Sequence, residues 1–296
     1  MQETVIKNCH IGDGNPKICV PLVGHSEDEI LKQAIYIVKE AARCEGLHPG
    51  YRVDIIEFRA DYYDDVTNST KLLELIKMLR DIFSDRLLLF TYRSEEEGGE
   101  FRHDRAENML TDIYEWVVVS GLVDMIDIEL LQGNYYVVRN ATKAHDNGVK
   151  VIISNHDLEK TPHDGDMADM LREMKIFGAD VMKLATTPKN EFDVRRLMEF
   201  TQNVTEGNKG YEDIQLPLVT MAMGEIGKKT RITGKTTGSA ITFAMVGSAS
   251  APGQLPLEEL MQELEKMWHG DGSPFRFCDS GDAPPVLILL YEGYTI

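Results

Sequence analysis

The segment Asp180-Val181-Met182-Lys183-Leu184-Ala185-Thr186-Thr187 decides the reading of the fold. It is a short apolar run that breaks into hydroxyls and Pro188, the pattern of a buried strand. A lysine at its centre is costly, because an ammonium loses its hydration there. Lys183 therefore reads in two ways: as half of a buried ion pair, or as an amine kept partly neutral so that it can attack a carbonyl carbon.

Outward from this strand, the same unit repeats along the chain. Lys17 to Val23, Val53 to Arg59, Leu87 to Thr91, Met125 to Glu129, Val149 to Ser154, Leu216 to Met221 and Ala240 to Met245 are apolar strands. Helical patterns separate them, among them Ile30 to Ala42, Thr70 to Ile82 and Asp104 to Val118. Ser26, with Glu29 three residues on, has the form of a capping box for the first of these helices. Eight strands alternating with helices imply a parallel sheet, and that count favours a closed (β/α)8 barrel of the α/β class over an open sheet. The expected organisation is one TIM-barrel domain over 1–268 and a C-terminal extension over 269–296. Pro285 to Tyr291 is too apolar to be left in water, so the extension is expected to pack on the barrel or on a partner subunit. The polar run Gln202 to Gly210 reads as a solvated insertion before the seventh strand. No strand is followed by G-x-G-x-x-G or a P-loop, the usual nucleotide-binding signals.

Composition narrows the partners. The 296 residues carry 31 Lys plus Arg against 49 Asp plus Glu, a formal charge of −18, which argues against nucleic acid or an anionic membrane as a partner. No basic leader and no membrane-length apolar run is present in the sequence, so a soluble cytoplasmic protein is expected. Cys9, Cys19, Cys44 and Cys278 form no CxxC pair and no metal-ligand spacing with histidine, which fits free thiols in a reducing compartment.

In such a barrel the reactive groups sit at the C-terminal ends of strands. Those positions hold Glu57 and Arg59, Arg93 and Glu97, Glu129, His156 and Asp157, Lys183, and Arg231. Taken singly, each has an ordinary structural explanation as a salt bridge, a satisfied histidine or a turn cap. Together, three arginines and a lysine at one mouth would repel one another unless carboxylates intervene or an anion binds, and arginine grips a carboxylate with two hydrogen bonds. A lysine near other cations can condense with a ketone, and the resulting imine is an electron sink. His156 is the natural group to remove the neighbouring proton and return one to a leaving hydroxyl. The assembled chemistry is elimination or carbon–carbon cleavage beside a ketone in a carboxylated substrate, with no metal and no cofactor required.

These residues lie in segments that resemble the type I 3-dehydroquinate dehydratases over about residues 4 to 267. The segments are Gly14 to Pro21, Glu57-Phe58-Arg59-Ala60-Asp61, Thr91 to Gly99, Asp127 to Leu130, Ser154-Asn155-His156-Asp157, Val181 to Ala185, Met221 to Arg231, and Ser248 to Gln254. The resemblance implies that Lys183 forms the Schiff base and His156 is the general acid and base. It implies that Glu57, Arg59 and Arg93 bind and position hydroxyls, and that Arg231 grips the carboxylate. It implies that Ser250 and Gln254 sit in a closing lid and that Glu97 orients His156, a task Asp127 is expected to share. It further implies a hydro-lyase of the shikimate pathway acting on 3-dehydroquinate, commonly as a homodimer. Phe58, Tyr92 and Thr230 depart from the tryptophan, phenylalanine and serine frequent at those positions. Two other readings stand beside this one: a class I aldolase-like lyase on another carboxylated ketone, and a barrel that binds its ligand without turning it over. An aldolase acting on sugar phosphates would carry a glycine-rich phosphate loop after strand seven or eight, and Gly247 to Pro252 is only a partial fit.

Overall fold

The computed structural model describes residues 2–100, 104–247, 250–269, 275–278 and 286–289. The chain opens with a hairpin, β1 (Thr4–Ile6) and β2 (Cys9–Ile11). Eight parallel strands follow: β3 (Lys17–Leu22), β4 (Val53–Arg59), β5 (Leu87–Thr91), β6 (Met125–Glu129), β7 (Lys150–Asp157), β8 (Val181–Thr186), β9 (Leu218–Ala222) and β10 (Ile241–Met245). β3 to β9 pair in sequence order and β10 pairs with β3, so the sheet curls into a barrel. A short β11 (Leu255–Pro256) pairs in parallel with β10 on the edge opposite β3. The helices are α1 (Glu27–Leu47), α2 (Ser69–Ile82), α3 (Asp104–Val119), α4 (Asn134–Asp146), α5 (Asp164–Ile176), α6 (Glu191–Glu206), the four-residue turns α7 (Lys229–Ile232) and α8 (Gly234–Thr237), and α9 (Leu257–His269). Among the described residues, no helix is long and apolar enough to cross a membrane.

Strand alternation divides the apolar residues into two cores. On β8, Met182 and Leu184 face outward into the layer between sheet and helices, while Val181 and Ala185 belong to the barrel interior. Ile55, Leu89, Met125, Ile152, Val219 and Ile241 fill that interior towards its N-terminal end. Ile6 and Ile11 from the opening hairpin plug the same end, and the hairpin is fastened there by Thr4 Oγ1 donating to the Asp180 carbonyl at 2.8 Å. The sequence pattern passes over this hairpin because three-residue strands are too short to show a period.

Helix starts follow the capping rules. Ser26 accepts from Glu29 N, and Glu29 in turn accepts from His25 N, one residue upstream of the cap. Asn68 and Asn190 cap α2 and α6 in the same way. Two expectations need correction. Gln202 to Glu206 is not a solvated insertion but the last turn of α6, held by the buried Val204 and by Thr205 Oγ1 donating to the Thr237 carbonyl at 2.9 Å. Gly207, with φ 68°, ends that helix in the left-handed conformation glycine tolerates. The strand expected to end at Ser154, β7, instead runs on through His156 to Asp157, and the connection after β9 holds α7 and α8. The expected packing of the 269–296 extension falls mainly outside the described residues, as do Ser248 and Ala249 of the expected lid. Within the extension, β12 (Phe275–Cys278) and β13 (Val286–Leu289) form an antiparallel pair.

No ladder joins β9 to β10 among the described residues. Their seam is closed by Ala240 N donating to the Leu218 carbonyl at 2.8 Å and by the buried Ser239 hydroxyl. Ser239 Oγ accepts from Thr220 N at 3.1 Å and approaches the Thr220 carbonyl at 3.3 Å. Replacing Ser239 by Ala strands a buried amide, and the expected cost is about 1–3 kcal/mol of unfolding free energy. Equilibrium denaturation of the variant checks this, and an unchanged midpoint contradicts it.

Candidate active site

Inward positions on each strand change from apolar to polar as the chain climbs towards the C-terminal mouth. β4 runs Ile55, Glu57, Arg59; β5 runs Leu87, Leu89, Thr91 and then Arg93; β6 runs Met125, Asp127, Glu129; β7 runs Ile152, Ser154, His156. Ladder register sets Lys183 beside Ser154, and Ala185 beside His156. Lysine and histidine therefore face the same interior from neighbouring strands, one pleat apart in height. Lys183, His156, Glu97, Glu57, Arg59, Arg93, Arg231, Ser250 and Gln254 all line a single cleft.

Arg93 is the hub of the floor. Its Nη1 donates to Glu129 Oε1 and Ser154 Oγ, both at 3.0 Å, and reaches Glu97 Oε2 at 3.3 Å, while its Nη2 donates to Asp127 Oδ1 at 2.8 Å. Ser154 Oγ donates to that same Asp127 oxygen at 2.6 Å, and the other, Oδ2, accepts from Lys183 Nζ at 3.1 Å. Lys183 is thus ion-paired, with its Nζ 4.8 Å from the centre of the Phe243 ring. Burial pushes the Asp127 carboxyl up, but Arg93 and Lys183 outweigh it and hold the group below the usual carboxylate range. Asp127, expected to share in orienting His156, directs its hydrogen bonds to Lys183, Arg93 and Ser154 instead.

Glu97 holds the histidine. Its Oε2 lies 2.7 Å from His156 Nδ1 and accepts from His156 N at 3.1 Å, which leaves Nε2 as the ring's other polar atom. Burial, with Arg93 and Lys183 nearby, holds the His156 imidazole well below its ordinary range. Burial pushes the Glu97 carboxyl up to about 8 against the pull of Arg93, with Glu129 adding to the rise. Glu57 accepts from Thr91 Oγ1 at 2.9 Å. Arg59 makes a two-point fork to Asp61, Nε to Oδ1 at 2.8 Å and Nη2 to Oδ2 at 2.7 Å.

Arg231, on α7, has no carboxylate partner among the described residues. Its Nη2 donates to the Pro252 carbonyl at 3.2 Å and its Nη1 lies 3.9 Å from Met221 Sδ, while its buried Nε has no partner. Burial alone lowers it to about 10. Thr230 beside it uses its hydroxyl, accepting from Ala222 N and donating to the Gly227 carbonyl, so threonine serves there as serine would. Ser250 and Gln254 bind each other across the loop: Ser250 N donates to Gln254 Oε1 at 2.9 Å, and Gln254 Nε2 donates to Ser250 Oγ at 3.0 Å. A Cβ at Gly253 between them would overlap the Gly224 carbonyl, so that position requires glycine. Phe58 and Tyr92 face outward into the helix layer, away from the cleft. Thr91 and Ser154 were given no role from the sequence, although each lies on an inward position one pleat below Arg93 and His156.

A parallel barrel with a lysine, a histidine and paired carboxylates at the C-terminal mouth is the architecture of a barrel enzyme acting on a small polar molecule. The chain belongs to the type I 3-dehydroquinase family, whose model matches residues 18–270. A 3-dehydroquinate dehydratase of Clostridioides difficile is 40% identical over 259 residues, 88% of this chain and 94% of that protein. One from Listeria monocytogenes is 35% identical over 265 residues, 90% of this chain and 98% of its own length. Among solved structures, the 3-dehydroquinate dehydratase of Geobacillus kaustophilus superposes with a TM-score of 0.81 at 29% identity, covering 92% of this chain and 98% of that one.

Removing Arg93 would leave Asp127, Glu129 and Glu97 facing one another without their shared cation. Arg93→Ala is therefore expected to destabilise the fold by about 3–5 kcal/mol at neutral pH, measured by chemical denaturation. A loss below 1 kcal/mol would remove Arg93 from the structural role given to it.

Proposed function

We propose that this protein is a 3-dehydroquinate dehydratase, a hydro-lyase that eliminates water from 3-dehydroquinate through a Schiff base on Lys183. The observation that carries this reading is the facing pair on β7 and β8: a buried Lys183 amine, and a His156 ring held at Nδ1 by Glu97. The Lys183 amine adds to the ketone carbon and the carbinolamine loses water to give the imine, its proton on Lys183 passing first to Asp127 or solvent. His156 Nε2 takes the proton from the carbon beside the imine, and the electron pair moves into an enamine. That pair then expels the β-hydroxyl, which leaves as water with the proton His156 has just gained. Hydrolysis of the conjugated imine consumes one water and frees the enone product and Lys183.

Arg231 suits the substrate carboxylate, because its Nε lacks a partner and no acid neutralises it. Glu57, Arg59 and Arg93 suit the ring hydroxyls, and Ser250 and Gln254 the lid over them. The family match ends at residue 270, which supports assigning the chemistry to 1–268 and treating 269–296 as an extension. Action in the cytoplasm and assembly as a homodimer belong to the same reading and rest on the family resemblance.

The decisive experiment adds 3-dehydroquinate with sodium borohydride and follows the protein by intact and peptide mass spectrometry, alongside the ultraviolet absorbance of the conjugated product. A reduced adduct on the Lys183 peptide, together with turnover, is the expected result. Turnover without trapping would move the chemistry off Lys183, and binding without turnover would favour the ligand-binding barrel.

The pH dependence follows from the Glu97–His156 pair. At 2.7 Å, Glu97 and the His156 ring titrate as one pair, and kcat/KM is expected to fall as the pH drops through that titration, because Nε2 must be free to accept a proton. Glu97→Gln leaves the ring to titrate alone, buried and flanked by Arg93 and Lys183, which disfavour its charged form. The acid limb should then move to lower pH while kcat drops about tenfold or more, in keeping with general acid–base contributions. An acid limb unmoved by Glu97→Gln would separate Glu97 from the histidine's chemistry.

A further inference from the structure

Asp61 sits under the cleft without lining it, yet it controls a residue that does. Its carboxylate is buried and takes one whole edge of the Arg59 guanidinium, Nε at 2.8 Å and Nη2 at 2.7 Å. The Cζ of the same guanidinium lies over the Tyr62 ring, 5.2 Å from its centre. A guanidinium has five N–H donors in a rigid fork, and with one edge taken by Asp61, the donors left for a ligand are those turned away from that edge. Asp61 also reaches the neighbouring wall of the cleft: its Oδ2 accepts from Glu100 N at 3.1 Å. Glu100 follows the segment Glu97-Gly98, which lines the cleft. One carboxylate thus sets both the direction of Arg59 and the seat of the loop that carries Glu97.

We propose that Asp61 is a positioning residue that selects which edge of Arg59 meets the substrate and so sets hydroxyl recognition in the cleft. The proposal rests on the dehydratase reading, because Arg59 acts on substrate only if that reading holds. A buried ion pair serving the fold alone would lower stability when broken but would not depend on Arg59 for its kinetic effect.

The test is a double-mutant cycle on purified full-length protein, with steady-state kinetics and thermal midpoints for the parent, Asp61→Asn, Arg59→Ala and the double variant. With Arg59 present, Asp61→Asn should lower kcat/KM about ten- to a hundredfold, the scale of a hydrogen bond to a charged group. In the Arg59→Ala background the same change should alter kcat/KM less than about twofold. An equal loss in both backgrounds, or none in either, overturns the proposal. Asp61→Glu is the second variant should Asp61→Asn fold poorly: it keeps the charge, and its longer arm displaces the fork, so its loss should again require Arg59. A parent enzyme that does not turn over 3-dehydroquinate overturns the dehydratase reading, and this proposal with it. An active parent with unaffected Asp61 variants overturns only the role of Asp61.

Discussion

The Arg93 guanidinium is the constraint on which the barrel mouth depends. Asp127, Glu129 and Glu97 come from β6 and from the turn after β5, and in a water-poor interior three carboxylates at such range cannot all stay ionised unaided. Arg93 touches each of them and Ser154 besides. That shared cation lets Asp127 remain ionised beside Lys183 and lets Glu97 sit against His156. Lys183 and His156 are both held through neighbours of one arginine, Asp127 and Glu97. A change at the hub would be felt by both.

Around this hub the barrel separates two tasks by height. The N-terminal half of the interior is closed by aliphatic side chains and by the opening hairpin, which supply hydrophobic stabilisation. The C-terminal half holds ions and hydroxyls whose burial is unfavourable without partners. The apolar half carries the fold, so the polar half is free to be shaped by chemistry. Arg231 illustrates this: it is a buried cation without a carboxylate among the described residues, a state the rest of the barrel is stable enough to hold.

Much of this was legible in the sequence, for a definite reason. Strands buried on both faces are written as continuous apolar runs, and a charge within such a run, as at Lys183, is conspicuous. Strand-end position then singled out Glu57, Arg59, Arg93, His156 and Arg231, which one cleft brings together. What escaped was set by three-dimensional neighbours. The β1–β2 hairpin is too short for a period, and the last turn of α6 is polar in composition but anchored by Thr205 to Thr237. Asp127 reads as a helper of histidine until register puts it beside Lys183. Thr91 and Ser154 are small hydroxyls whose roles come only from the ions they meet across the barrel.

The seam between β9 and β10, joined by one backbone bond and the Ser239 hydroxyl, lies just below the groups at the mouth of the cleft. Lys183 stands on β8, before the seam; Arg231 lies in the connection across it; Gln254 follows β10, beyond it. A molecule anchored at all three would act as a cross-tie over the place where the ring of strands is most thinly stitched. Occupancy and mechanical closure would then be linked, because any ligand that binds the closed ring in preference to an opened one shifts the balance towards closure. The bound molecule would become, for its lifetime, a structural member of the barrel.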